Sequence, residues 1–251
     1  VALSIMLKRP VKFIADRLES FTNDIHARDH RITARMAVSQ DGEIQAIDYD
    51  DVTGVGPYSV YPRTSGIEAN QVVNMTGAQY ACPNYRARTN VVFQNKTPMC
   101  QYRAVGHPIL TALTEGLVDK AADAIGMDPV DIRRKNLLPD DSYPRKSPTG
   151  MLFEQLSHQE SLEKIVQMMD YEMLRKEQGK LRDQGVYRGI GIATFIEVTN
   201  PSAMFYGIGG APISAQDGAT IRLDAKGNII VQTGVTEQGQ GTEAVIAQVA
   251  A

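Results

Sequence analysis

Apolar and polar residues alternate through residues 31–53, "RITARMAVSQDGEIQAIDYDDVT", on both sides of an Asp41–Gly42 pair. A period of two about an Asp-Gly step predicts a β-hairpin, because glycine takes the positive φ that a tight turn needs. Residues 85–98, "YRARTNVVFQNKTP", predict another strand, and the short apolar run "ALSIML" (2–7) reads as a strand too. The period then changes. Ile109, Leu110, Leu113, Leu117, Ala121 and Ile125 keep helical spacing and end at Gly126, a C-cap residue. "DPVDIRRKNLL" (128–138) predicts a short helix with Asp128 at the N-cap and Pro129 in its first turn. Residues 139–157 are rich in Pro, Ser and Asp and mark a boundary. Residues 161–184 read as one highly charged amphipathic helix whose charged face is a solvated surface. A second β-rich stretch follows, "YRGIGIATFIEVT" (187–199), then a hairpin turning at "DAKGN" (224–228). The fold class predicted is α+β: mixed and antiparallel sheets and hairpins with packed helices, in two segments, 1–145 and 146–251.

Composition narrows the function classes. The chain has 251 residues, 43% apolar and 22% charged, which suits a soluble globular protein. Its net charge of -3 includes no polybasic block, so neither nucleic acid nor an anionic membrane is called for. No apolar run approaches the ~18 residues of a membrane span. Two cysteines, Cys82 and Cys100, without a CxxC pair, exclude a disulfide scaffold or a thiolate zinc site and make a cytoplasmic setting the default. The chain starts at Val1 and stops in a helix-like run with no C-cap, and so reads as an internal piece of something longer.

Two glycine-bearing strand-to-helix junctions carry the chemistry: "TPMCQYRAVGHP" (97–108) and "TEQGQGTEA" (236–244). Each brings backbone N–H groups and a helix N-terminus to one point, which favours an anion. Neither is a GxxxxGK[ST] loop, and "GQGTEA" fits only the looser GxGxxA form. Taken singly, each equally fits a tight turn with a capped helix. Arg103 is either a fork of donors toward an oxyanion or an arginine on nearby carbonyls. His26 and His30, four apart, form a metal pair or structural hydrogen bonds. With no HExxH and no third ligand, the structural role is the better reading. His107 and His158 read as helix-start residues, and Cys100 as a buried thiol beside the first junction.

Taken together and in order, four stretches resemble the molybdenum-binding large subunit of the xanthine dehydrogenase / aldehyde oxidase / carbon monoxide dehydrogenase family. "KRPVKFIADRLESFTNDIHARDH" (8–30) is similar to the family's "GRPVKW…ER…E…HxRDH". "MCQYRAVGHP" is similar to its "FRGFGGPQ" or "YRGxGRP" loop, "GMDPVDIRRKNLLPDD" (126–141) to "GxDPxEIRxxN", and "TEQGQGTEAVIAQVAA" (236–251) to "xEMGQGxxTxxxQxxA". The resemblance covers essentially the whole chain.

It implies two molybdopterin-binding segments and a molybdenum hydroxylase-type oxidoreductase. The cofactor would be molybdopterin with molybdenum, in the cytosine dinucleotide form. Water-derived oxygen would be inserted at an electron-poor carbon of a small-molecule aldehyde, purine or N-heterocycle. Electrons would leave through iron–sulfur (Fe-S) and FAD partner subunits, since two cysteines cannot supply a four-thiolate cluster. By resemblance Arg103 lies near the molybdenum, Tyr102 walls the substrate pocket, and Gln240, Gly239, Gly241, Thr242 and Ala104 contact the cofactor. No side chain of this chain is assigned as a metal ligand. Ala104 stands where the molybdenum/copper carbon monoxide dehydrogenases hold copper with a cysteine, which argues against CO oxidation. The family's "GGxFG" loop and its catalytic glutamate, in a "GE" motif, fall outside these residues, so the chain alone is expected to be inactive. Tyr61 and Arg63 are further guesses at substrate contacts. The alternatives are another phosphate- or nucleotide-cofactor protein sharing the two loops, or a truncated, non-catalytic module acting in subunit interaction, through the 161–184 helix.

Overall fold

The structure is a computed structural model that describes residues 1–60, 64–198 and 217–251. Chain contacts divide it into two units, Val1–Val198 and Thr199–Ala251.

In the first unit the predicted hairpin forms: β1 (His30–Val38) pairs antiparallel with β2 (Ile44–Gly54). Its turn closes through Ser39 and Glu43, with Gly42 at φ 89°. β2 is the central strand, because β3 (Asn84–Val92) pairs with its other edge in parallel. A parallel pair needs a crossover, and here it carries α3 (Ile67–Met75). Side chains of β2 alternate: Ile44, Ile47 and Tyr49 are buried, and they meet Val72 and Met75 of α3. The long helix α4 (His107–Ile125) ends on a left-handed Gly126, as its pattern predicts. It contributes Leu110, Val118, Ala121 and Ala122 to the core. In α5 (Pro129–Asn136), Asp128 caps by accepting the Val130 N–H at 2.8 Å. Each such buried aliphatic side chain stabilises the fold by about 1.5–3 kcal/mol.

Three predicted elements differ. "ALSIML" is a helix, α1 (Ala2–Leu7), not a strand, and α2 (Arg17–Asn23) follows it behind an Asp16/Glu19 capping box. A short apolar run of leucine, alanine and methionine carries no period that separates the two states. The single helix expected over 161–184 is two, α6 (His158–Met168) and α7 (Tyr171–Asp183), broken at Asp170 with φ 47°. The break lets Tyr171 bury its ring and donate its hydroxyl to the Asp128 carboxylate at 3.1 Å. The strand expected over 187–199 forms no ladder in its described part, 187–198. Its alternation is spent on packing instead: Ile190, Ile192, Ile196 and Val198 lie against the core. Its backbone bonds side chains, with Thr194 N–H donating to Glu115 at 3.0 Å and its carbonyl accepting from Gln79 at 2.8 Å.

Glu115 centres a buried polar cluster that also accepts from Tyr80 at 2.8 Å and from Arg133 Nε at 2.9 Å. Arg133, with no exposed surface, reaches Asp119 as well, at 2.8 Å. Between α5 and α6 lies a two-residue hairpin, β4 (Arg145–Lys146) with β5 (Leu152–Phe153). The contact division at residue 198 falls later than the sequence division at 145/146. Residues beyond 145 pack back on α5, as when Arg134 meets Glu163 at 2.6 Å.

In the second unit β6 (Ala219–Leu223) and β7 (Ile229–Thr233) form the hairpin predicted at "DAKGN". The Asp224 carboxylate accepts the Lys226 and Asn228 N–H groups at 2.8 and 2.9 Å. α8 (Thr242–Ala250) follows the glycine-rich loop. The described residues are thus α+β, and no helix among them is long and apolar enough to cross a membrane.

Candidate functional site

The first junction is zipped to the segment that leads into β1. His26 N–H donates to the Pro98 carbonyl at 3.0 Å, and Cys100 N–H to the His26 carbonyl at 2.8 Å. Beyond Cys100 the chain makes two tight turns, Val105 N–H to Tyr102 O at 2.6 Å and His107 N–H to Ala104 O at 2.9 Å. Ala104 and Val105 both take positive φ, 77° and 50°. That region costs a side-chain-bearing residue roughly 1–2 kcal/mol, so the surroundings must impose it.

They do so from α3. Gln71 Oε1 accepts the Gly106 N–H at 3.0 Å, and Glu68, one turn earlier, accepts the Arg28 N–H at 2.7 Å. A Cβ on Gly106 would lie 2.6 Å from the Glu68 carbonyl, so this glycine serves close approach rather than turn geometry. Arg28, itself at φ 67°, donates from Nη2 to the Arg103 carbonyl at 2.7 Å and sets its guanidinium 5.1 Å from the centre of the Tyr102 ring. The structure therefore brings Tyr102, Arg103 and Ala104 into one clamped turn, with Tyr102 and Arg103 exposed. His107 is the first residue of α4 but does not cap it: its Nδ1 faces the Ala104 carbonyl, and its Nε2 accepts the Val198 N–H at 3.2 Å, so it ties the turn to a later segment instead.

Beneath this turn lies a buried ionic cluster. His30 Nδ1 is 3.0 Å from Asp51 Oδ2 and its Nε2 is 3.2 Å from Glu68 Oε1. Thr53 and Thr89 donate to the same Asp51 oxygen. Burial pulls the His30 pKa down, but hydrogen bonds to Asp51 and Glu68 outweigh it and push it up to about 9. Asp51 moves the other way: burial raises its pKa, and the bonds from His30 and Thr53 hold it below the usual carboxylate range. His30 is thus a charged structural imidazolium. His26 lies apart from it on the Phe21 carbonyl, so the two do not make a metal pair.

In the second unit Gly239 and Gly241 take φ 90° and 81°. Their N–H groups are not bare. Both donate to Glu237 Oε1, at 2.7 and 3.1 Å. Slight desolvation raises the Glu237 pKa, but four backbone donors at the start of α8 override it and hold the carboxyl low. Gln240 spans the loop, accepting from Gln238 N–H at 2.6 Å and donating to Thr236 O at 2.9 Å and Thr242 Oγ1 at 2.6 Å. Gly239, Gln240 and Gly241 therefore form one tight exposed loop that runs into the half-buried Thr242 at the start of α8.

Sequence reasoning did not single out Arg28, Glu68, Gln71 or Glu237. Arg28 lies inside the "HxRDH" match, and Glu237 inside the "xEMGQG" match, but nothing local shows that their partners are the loop backbones. Tyr61 and Arg63 lie outside the described residues.

Family models described as molybdopterin cofactor-binding domains match residues 1–137 and 164–251. The chain is 32% identical over 247 residues to the nicotine 6-hydroxylase large subunit of Paenarthrobacter nicotinovorans, covering 98% of this chain and 30% of that one. It is 28% identical to the carbon monoxide dehydrogenase large chain of Hydrogenophaga pseudoflava, covering 100% of this chain and 32% of that one. Its fold superposes on quinoline 2-oxidoreductase from Pseudomonas putida 86 with a TM-score of 0.86 at 30% identity, over 99% of this chain and 32% of that one. The chain spans about a third of the length of these relatives. It belongs to the molybdopterin cofactor-binding domain family, as found in the large subunits of molybdenum hydroxylases.

Proposed function

We propose that this chain is part of a molybdenum hydroxylase large subunit acting on an aromatic N-heterocycle. The observation that carries the reading is the clamped 102–106 turn, which presents the arginine–alanine pair of the family loop at an exposed, rigid position. The residues fit the cofactor: one loop offers the exposed Arg103 side chain on a clamped backbone, and the other a helix N-terminus whose four converging N–H groups hold the Glu237 carboxylate, which a phosphate would have to displace. When bound, the molybdenum centre supplies a two-electron acceptor for the net reaction R–H + H2O → R–OH + 2 H+ + 2 e−.

Arg103 holds a positive charge where negative charge develops, which is worth most when the group is already oriented. Tyr102 offers a flat apolar face to an aromatic substrate. Gln240 and Thr242, on exchanging their bonds within the loop, would supply donors and acceptors for the pterin edge, and Gly239 and Gly241, on leaving Glu237, would bring backbone N–H groups to pyrophosphate. The dinucleotide form of the cofactor is the cytosine one. Ala104 in place of a copper-holding cysteine sets the reaction apart from CO oxidation, and the relatives named for nicotine and quinoline share an aromatic ring nitrogen. Electrons pass to Fe-S and FAD partner subunits in the cytoplasm.

Metal analysis of the purified complex containing this chain tests the reading. Stoichiometric molybdenum and oxidation of nicotine- or quinoline-type substrates are expected. A complex that turns these substrates over without molybdenum overturns it. Residues 1–251 on their own are expected to show no turnover, because no general base is assigned within them.

A further inference from the structure

We infer that Arg28 is a positioning residue for the Arg103 turn, fixing the guanidinium of Arg103 through that residue's own carbonyl and through the Tyr102 ring. The inference rests on the proposed role of the turn beside the cofactor. Three contacts carry it. Arg28 gives its backbone N–H to Glu68 at 2.7 Å, its Nη2 to the Arg103 carbonyl at 2.7 Å, and its guanidinium face to Tyr102 at 5.1 Å. Arg28 thus joins three elements: the lead-in to β1, helix α3 and the turn.

The anchoring is stiff from below. Glu68 is buried and held by His30, and His30 is held by Asp51 on β2. A left-handed φ at Arg28 aims the side chain across 75 residues of sequence to the turn. The turn, in contrast, contains two side-chain-bearing residues in left-handed conformation, which relax toward β or α geometry when a tether is lost. Arg28 is itself exposed. Its removal therefore disturbs geometry more than folding. Displacing a charge-stabilising group by about 1 Å lowers turnover by up to ~100-fold. Tyr102, the ring proposed to face the substrate, loses its cation–π contact in the same change, so substrate affinity falls as well, by less than turnover.

The test uses the molybdenum-containing holoenzyme that includes this chain, with Arg28→Met, Arg28→Lys and the surface control Arg35→Met. The expected result for Arg28→Met is a kcat lower by about 10- to 100-fold, a KM raised by a smaller factor through the loosened Tyr102 ring, and an unchanged molybdenum content. Lysine, a compact point charge without the planar fork, restores one of the two side-chain contacts at a time, the Arg103 carbonyl or the ring, and is expected to recover part of the kcat. Arg35 of β1 pairs with Asp48 of the central strand β2 and is 82% exposed in its side chain, so the control keeps wild-type kinetics. Wild-type kcat in a molybdenum-replete Arg28→Met enzyme overturns the inference. So does a loss in which Met and Lys variants fall equally and in step with molybdenum content, since that marks a purely structural role. If the Met variant does not accumulate, the Lys variant carries the test through its kcat-against-KM split. A wild-type complex active without molybdenum instead sinks the functional reading beneath, which keeps the two failures apart.

Discussion

The His30 cluster makes a pH prediction whose size follows from the structure. The imidazole side chain is 3% exposed and lies between two carboxylates, which push its pKa from the usual 6.5 to about 9. A folded-state pKa above the unfolded value means that the folded protein binds the proton more tightly. The stabilisation is therefore complete below pH 6.5 and is lost as the pH rises through 9. At about 1.4 kcal/mol per pH unit the full contribution is about 3 kcal/mol. The Asp51 pKa, held low, describes the same pair from the other side. Its contribution is present above the usual carboxylate range and is lost as acid protonates it, so it is not added to the first. The perturbation is His30→Gln, which keeps hydrogen-bonding atoms near both carboxylates but removes the charge. Urea titrations at pH 6.0, 7.5 and 9.5 are followed by tyrosine signals, since the chain contains no tryptophan. Wild type is expected to exceed the variant by about 3 kcal/mol at pH 6.0, with the gap closing toward pH 9.5. A gap that is constant over that interval would refute a charged His30, and a gap that widens would reverse the sign of the argument.

Two other substitutions probe separate features. Glu115→Gln leaves the fully buried Arg133 with only the half-exposed Asp119 as a counter-charge, and is expected to lower stability by about 2–4 kcal/mol in a denaturant melt. A melt indistinguishable from wild type would show that the Tyr80, Gln79 and Thr194 donors alone sustain the cluster. Ala104→Gly relieves a φ of 77° while removing only a methyl group, and is expected to raise the melting temperature, reflecting up to about 1 kcal/mol. A fall would mean that the alanine methyl packs more favourably than the strain costs.

Much of this fold is legible in short stretches of sequence because its causes are local. Asp41–Gly42 dictates its turn, Asp128–Pro129 starts its helix, and the spacing from Ile109 to Ile125 dictates a face to bury. Where the cause is distant, local reading fails. Asp170 breaks a helix because Tyr171 has a partner at Asp128, and residues 187–198 keep a strand period without a strand because Glu115, Gln79 and His107 take up backbone groups of this segment. The site follows the same rule. Tyr102, Arg103 and the "GQG" loop stand out as glycine-bearing junctions and by resemblance. Their holders, Arg28, Glu68, Gln71 and Glu237, look like ordinary polar residues until the chain is folded.

The parallel pairing of β2 with β3 bears on the order in which the molecule can assemble. The β1–β2 hairpin closes across a five-residue connection and needs nothing else. The 102–106 turn is tethered to residues far back in the chain, at 28, 68 and 71, and α3, which supplies two of them, lies within the crossover that must first bring β3 alongside β2. Loop closure over such separations is slow compared with hairpin formation. The 102–106 turn is therefore late to acquire its shape, in a chain whose sheet is already paired.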